Sequence, residues 1–129
     1  MTVANQITMV SVVVSDMPKA KEFYAEKLGL PVSADYRMND DNWWVTLTFP
    51  GGGANLTLAR SSTTSNEPPK PGTLGFYFST SDLAAAHTEL NDRGASPSEI
   101  QDDLYGPGSG VKFFQLQDPD GNQVTFAQQ

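Results

Sequence analysis

Residues 10–30, VSVVVSDMPKAKEFYAEKLGL, pass from an apolar strand into an amphipathic helix, with Asp16 at the join. Core-facing positions change there from a period near two to one near 3.6. The unit returns in weaker form at residues 75–95, GFYFSTSDLAAAHTELNDRGA. There Asp82 matches Asp16, Leu83 matches Met17, Ala86 matches Ala20 and Leu90 matches Tyr24. A chain that writes one strand–helix unit twice is constrained to two copies of one module. Its 129 residues suffice for one cored domain but not for two independent ones. A single domain over residues 1–129 is therefore expected, with modules at about 6–60 and 73–128. The polar, Pro/Ser-rich linker 61–72 would join them.

In the first module, residues 6–14 read as a strand whose even face, Val10, Val12 and Val14, suits packing beneath the helix. The odd face presents Met9, Ser11 and Val13 to the other side. Asp16 suits an N-cap, Pro18 the first turn, and Gly29 the stop of a helix running to about Lys27. Ala20, Phe23, Tyr24 and Lys27 or Leu28 form its buried stripe. Strands follow at 32–38, 43–49 and 55–59. The triplet Gly51, Gly52, Gly53 reads as a turn rather than a phosphate cradle, since no helix or Lys-Ser/Thr follows it. Adjacent Trp43 and Trp44 must point to opposite faces, and alternation alone leaves open which one meets a ligand.

The second module opens with a strand at 74–78 and a helix capped by Asp82 and ended by Gly94. His87, the only histidine, falls at the position of Lys21 and is expected on the helix surface. A loop at 97–110, a strand at 111–117, the turn DPDGN at 118–122 and a last strand at 123–127 complete it. Each module is thus expected to be βαβββ. The result is an α+β fold in which two small sheets make a cup-shaped, partly closed barrel.

A formal net charge of -7 argues against a nucleic-acid binder and against a polybasic membrane-surface protein. No stretch is long and apolar enough to cross a bilayer, and MTVANQITM has no basic region followed by a long apolar run. A cytoplasmic protein is expected. The absence of cysteine removes disulfides, thiolate nucleophiles, iron–sulfur clusters and cysteine-ligated zinc. Asp35, Asp40 and Asp41 surround a turn, and calcium would need more oxygen ligands at organised spacing.

The segments VVVSDMPKAKEFYAEKLGL and FQLQDPDGNQVTFAQ together resemble the vicinal oxygen chelate superfamily, which holds glyoxalase I, the bleomycin-resistance proteins and extradiol dioxygenases. The resemblance covers nearly the whole chain. It implies paired βαβββ modules, a ligand cleft inside curved sheets, and a homodimer. Metal-using members carry His, Gln or Glu at four inward positions, which here fall on Met9, Thr57, Gly75 and Thr125. A thioether, a bare backbone and neutral hydroxyls are poor ligands for a divalent ion, so no metal and no other cofactor is expected.

The leading expectation is metal-independent binding of a small organic molecule, aromatic or cationic, in the cleft between modules, as in drug-sequestering resistance proteins. The expected walls are Met9, Ser11, Trp44, Asn55, Thr57, Gly75, Tyr77, Phe114, Gln123 and Thr125. Trp44 and Phe114 would supply stacking area, while the polar members would fix orientation. A cofactor-free isomerase, cyclase or lyase is the alternative, with Asp41 or Asp35 as base and Tyr77 or Tyr105 as acid. A protein-interaction module is a third reading.

Overall fold

The structure is a computed structural model that describes residues 3, 4, 6–60 and 74–128. The expected linker 61–72 lies outside the described residues. The chain divides into two compact units, Met1–Pro71 and Gly72–Gln129, each with its own sheet.

The first unit holds β1 (Met9–Val13), α1 (Met17–Lys21), β2 (Val32–Asn39), β3 (Asn42–Leu47) and β4 (Asn55–Arg60). Its sheet runs β1-β4-β3-β2, with β1 parallel to β4 and the other pairs antiparallel. Asp16 caps α1 by accepting the Lys19 N–H at 3.1 Å, as its sequence position demands. The single helix expected to reach Lys27 is instead α-helical only to Lys21, and Glu22–Lys27 widens into a π-helical turn. There the Leu28 N–H reaches back five residues to the Phe23 carbonyl, at 2.9 Å. Gly29, at φ 74°, then lets the Leu30 N–H close on the Tyr24 carbonyl at 3.1 Å.

Register sorts the strand residues onto two faces. Val12, Leu58 and Val45 are neighbours in one row and are wholly buried. Next to Val45 lies Asp35, which the Lys21 ammonium of α1 reaches, so this is the face that the helix covers. Met17, Ala20, Phe23 and Tyr24 are buried there too, and the Phe23 and Tyr24 rings meet edge to face at 4.9 Å. The even-numbered face of β1 thus goes under the helix, as its valines require.

The second unit holds β5 (Gly75–Thr80), α2 (Leu83–Asp92), β6 (Phe113–Gln117) and β7 (Gln123–Gln128), ordered β5-β7-β6. Asp82 caps α2 at the Ala85 N–H, 3.0 Å, repeating Asp16. The third strand expected after α2 is absent as a strand. Residues 98–101 run along β6 instead and form one isolated bridge between Gln101 and Phe113. Ser98 donates its N–H to the Gln115 carbonyl at 2.7 Å, but the Gln115 N–H goes to the Ser98 hydroxyl, at 2.9 Å. That side chain stands where a ladder carbonyl would be. Ser96 before it sits at φ 56° and Pro97 has no N–H, so regular pairing cannot extend. The α+β class holds; each sheet is open at its edges, and neither closes on itself into a barrel.

The DPDGN turn closes the β6–β7 hairpin through one carboxylate. Asp118 accepts from the backbone of Asp120 (2.9 Å) and Asn122 (2.8 Å) and from the Asn122 amide nitrogen (2.7 Å). The Asn122 amide oxygen in turn accepts the Leu74 N–H at 3.0 Å, tying the turn to the start of β5.

Candidate functional site: the open faces of the two sheets

In the first unit, the face away from α1 is built from four strands. Met9 pairs with Asn55, Ser11 with Thr57, Thr57 with Thr46, and Trp44 with Ala59 and Tyr36. All five wall residues expected in this unit, Met9, Ser11, Trp44, Asn55 and Thr57, therefore share one face. Trp44 is on it and Trp43 is not. The Trp43 indole instead donates to Asp35 at 2.7 Å on the helix side and carries the Arg37 guanidinium 4.4 Å from its ring centroid. Tyr36, absent from the expected set, joins Trp44 with ring centroids 5.9 Å apart. At the centre, the Thr57 hydroxyl donates to the Met9 sulfur at 2.6 Å and meets the Thr46 hydroxyl at 3.0 Å.

The second unit repeats the arrangement. Gly75 pairs with Gln123 and Tyr77 with Thr125, while Gln115 and Gln117 of β6 oppose Thr125 and Gln123. Gly75, Tyr77, Gln123 and Thr125 thus share the face away from α2. Phe114 does not, which corrects its expected place in the wall. It is 0% exposed beneath α2, stacked on Phe126 at 5.2 Å and met edge-on by the His87 ring, also at 5.2 Å. Its neighbour Phe113 pairs with Ala127 just as Trp44 pairs with Ala59, so Phe113 is the true counterpart of Trp44. His87 is also corrected: half-buried, it bonds the Ser98 carbonyl through Nε2 at 2.8 Å and anchors the loop after α2.

Among the described residues, neither open face carries a charged side chain. The carboxylates considered as bases are held elsewhere. Asp41 meets Arg60 at 3.3 Å, and Arg60 also donates to the Ser15 carbonyl at 2.6 Å. Asp35 is bound by Lys21 and the Trp43 indole on the helix side. The hydrogen bond from Lys21 holds the Asp35 carboxyl below its usual range, the Trp43 bond and the Lys21 and Arg37 charges act the same way, and burial opposes them. A depressed carboxyl is a poorer base, which disfavours Asp35 as a proton acceptor. Tyr105 is an exposed loop residue and Tyr77 lies on the open face of its own sheet.

The sign of the Asp35 shift sets a pH dependence. Its contribution to stability is present above the ordinary carboxylate pKa of about 3.9 and is lost as pH falls through the lower folded value. The wild-type advantage over Asp35→Asn is therefore expected at pH 7 and should vanish toward pH 2, as read from urea midpoints across that range. An advantage constant with pH would refute the linkage.

Beside the second sheet, where residues 95–98 fail to form a strand, lies an open cavity of about 390 Å³. Ala95, Ser96 and Ser98 form one side, and Gln115, Leu116, Gln117 and Gln123 line the other. Only Gln123 belonged to the expected wall. The two β6 glutamines could have been found by alternation back from the DPDGN turn.

Residues 6–126 match the family model described as the Glyoxalase/Bleomycin resistance protein/Dioxygenase superfamily. Among curated proteins, YetH of Bacillus subtilis is 26% identical over 122 residues, covering 91% of this chain and 92% of its own length. The crystal structure of TnmS3, an antibiotic binding protein from Streptomyces sp. CB03234, superposes with a TM-score of 0.77 at 28% identity. The match covers 99% of this chain and 98% of TnmS3. A superfamily member from Sphaerobacter thermophilus gives a TM-score of 0.79 at 25% identity, covering 99% of this chain and 100% of that one. With the family model spanning both strand–helix repeats and the DPDGN turn, the chain belongs to the glyoxalase/bleomycin resistance protein/dioxygenase superfamily.

Proposed function

We propose that this protein binds a small, aromatic organic molecule on the open faces of its sheets, without a metal, and sequesters it rather than transforming it. The observation that carries the reading is the uncharged, aromatic and thioether-bearing character of those faces. Met9 is 52% exposed on the first of these faces, which also carries half-buried Trp44, and Tyr77 is 67% exposed on the second, which also carries half-buried Phe113. Large apolar side chains gathered on an uncovered sheet face mark a binding surface. The likeness to an antibiotic binding protein along the whole chain supports the same reading.

The four positions that hold metal ligands in metal-using relatives do not fit a divalent ion here. Gly75 offers no side chain, and the Thr57 hydroxyl is engaged with Met9 and Thr46. Thr125 is a buried neutral hydroxyl, and a thioether is a soft, weak donor. The absence of carboxylates on either open face favours a neutral ligand over the cationic one that the acidic composition suggested. We further propose that the chain works as a single two-module domain, as a homodimer and in the cytoplasm.

Trp44→Ala is the direct test, made in a Trp43→Phe background so that the remaining indole reports on binding. Small neutral planar aromatic dyes serve as probes, with calorimetry for the Ala variant. Loss of a buried indole should weaken a bound probe about 10- to 100-fold. Unchanged affinity with the fold intact would remove this face from the function. Capture of a protein partner with no small-molecule binding would favour an interaction module.

A further inference from the structure

We propose that the cavity at the β6 edge of the second unit is a subsite for an uncharged, polyhydroxylated group, a neutral sugar, carried by the aromatic ligand. This inference rests on the small-molecule reading above and specifies its ligand class.

The argument starts from what lines the cavity. Gln115, Gln117 and Gln123 project from the open face of the sheet, Gln117 directly opposite Gln123 and Gln115 two residues along β6. Among the described residues, none of these three side-chain amides is engaged by another side chain or by backbone. The Ser98 hydroxyl, by contrast, already accepts the Gln115 N–H and donates to the Glu99 carbonyl. Each free amide offers an acceptor oxygen and two N–H donors. A sugar hydroxyl needs both at once, because it donates one hydrogen bond and accepts others. Three amides converging on one open space supply that mixture, and the Ser96 hydroxyl adds to it.

The lining also excludes other ligand classes. Among the described residues it has no cation to hold a phosphate or carboxylate and no carboxylate to hold an ammonium. Bringing an ion there would strip part of its hydration without a counter-charge. At about 390 Å³, the cavity falls at the lower end of the 300–1,000 Å³ usual for small-molecule sites, enough for one ring. Tyr77 completes the arrangement. It pairs with Thr125, which pairs in turn with Gln115, so the phenol ring and the amides occupy one continuous uncharged face. An aryl group over Tyr77 would direct an attached sugar toward the glutamines.

The test compares three probes by NMR titration of the full chain: phenol, phenyl β-glucoside and the matching glucosamine glycoside, whose ammonium is charged. Phenyl β-glucoside is expected to bind about tenfold or more tightly than phenol, and to shift the side-chain amide signals of the three glutamines. Gln115→Met and Gln117→Met keep the side-chain shape but lose the hydrogen bonds. They should abolish the glucoside's advantage while leaving phenol affinity unchanged. Equal affinity for phenol and its glucoside would overturn the subsite and leave the small-molecule reading standing. So would an advantage that survives both variants, or tighter binding of the ammonium sugar. No signal shift on either open face with any probe would overturn the small-molecule reading, and the subsite with it.

Discussion

Replacing Asp118 with alanine is expected to destabilise the second unit by about 3 kcal/mol, the largest effect of any single polar side chain described here. The carboxylate is 5% exposed and receives three N–H groups, two of them from Asn122, which is itself 1% exposed. Alanine would leave those donors without acceptor or water, and an unsatisfied buried donor costs more than a made bond gains. The damage would spread, because Asn122 also holds the Leu74 N–H and so aligns β5 with β7. Asp118→Asn should fall between. Its oxygen can serve the two backbone groups, but its amide nitrogen then meets the Asn122 amide nitrogen, donor against donor. Both tryptophans lie in the first unit, so the measurement is amide hydrogen exchange along β7 rather than fluorescence. Full retention of protection in Asp118→Ala would show that the turn is not what holds the hairpin.

Phe114→Ala and Phe113→Ala should separate by several kcal/mol although the residues are adjacent. Phe114 fills the space between α2 and the sheet, against Phe126 and His87, so its truncation leaves a cavity and should cost about 3–5 kcal/mol. Phe113 stands on the open face, half-buried, and its truncation should cost less than about 1 kcal/mol while weakening a bound aromatic probe. Thermal unfolding by circular dichroism together with probe titration reads both. Equal losses of stability would mean that the two rings do not divide the two faces.

Much of the fold was legible in the chain. The cap–helix–glycine pattern at Asp16 and Gly29 recurs at Asp82 and Gly94. In both copies the cap accepts the N–H three residues on and the glycine takes positive φ. Alternation along β1 placed Val12 and Val14 inward and Met9 and Ser11 on the opposite face, and the pairing with β4 agrees. These features were readable because a cap or a two-residue period is decided by neighbours in sequence. The π-helical turn at Glu22–Lys27 was not, since one carbonyl displaced by a residue leaves no compositional trace. The loop at 97–110 was readable from its Pro, Gly and Ser content, but not that residues 98–101 run along β6 with the Ser98 hydroxyl in place of a backbone acceptor.

The sequence by itself determined that one strand–helix module is written twice and where each helix begins and stops. Only the tertiary structure decided which of two adjacent aromatics faces outward from the helix. Trp43–Trp44 and Phe113–Phe114 are each two adjacent apolar residues, and the pair taken alone does not say which ring lies under the helix. A shift of one residue moves every side chain to the other face. The choice is made across the strands. Trp44 opposes Ala59 and Tyr36 on the open face, while Trp43 reaches Asp35 beneath the helix. Phe114 is drawn under α2 by Phe126 and His87, which leaves Phe113 outside.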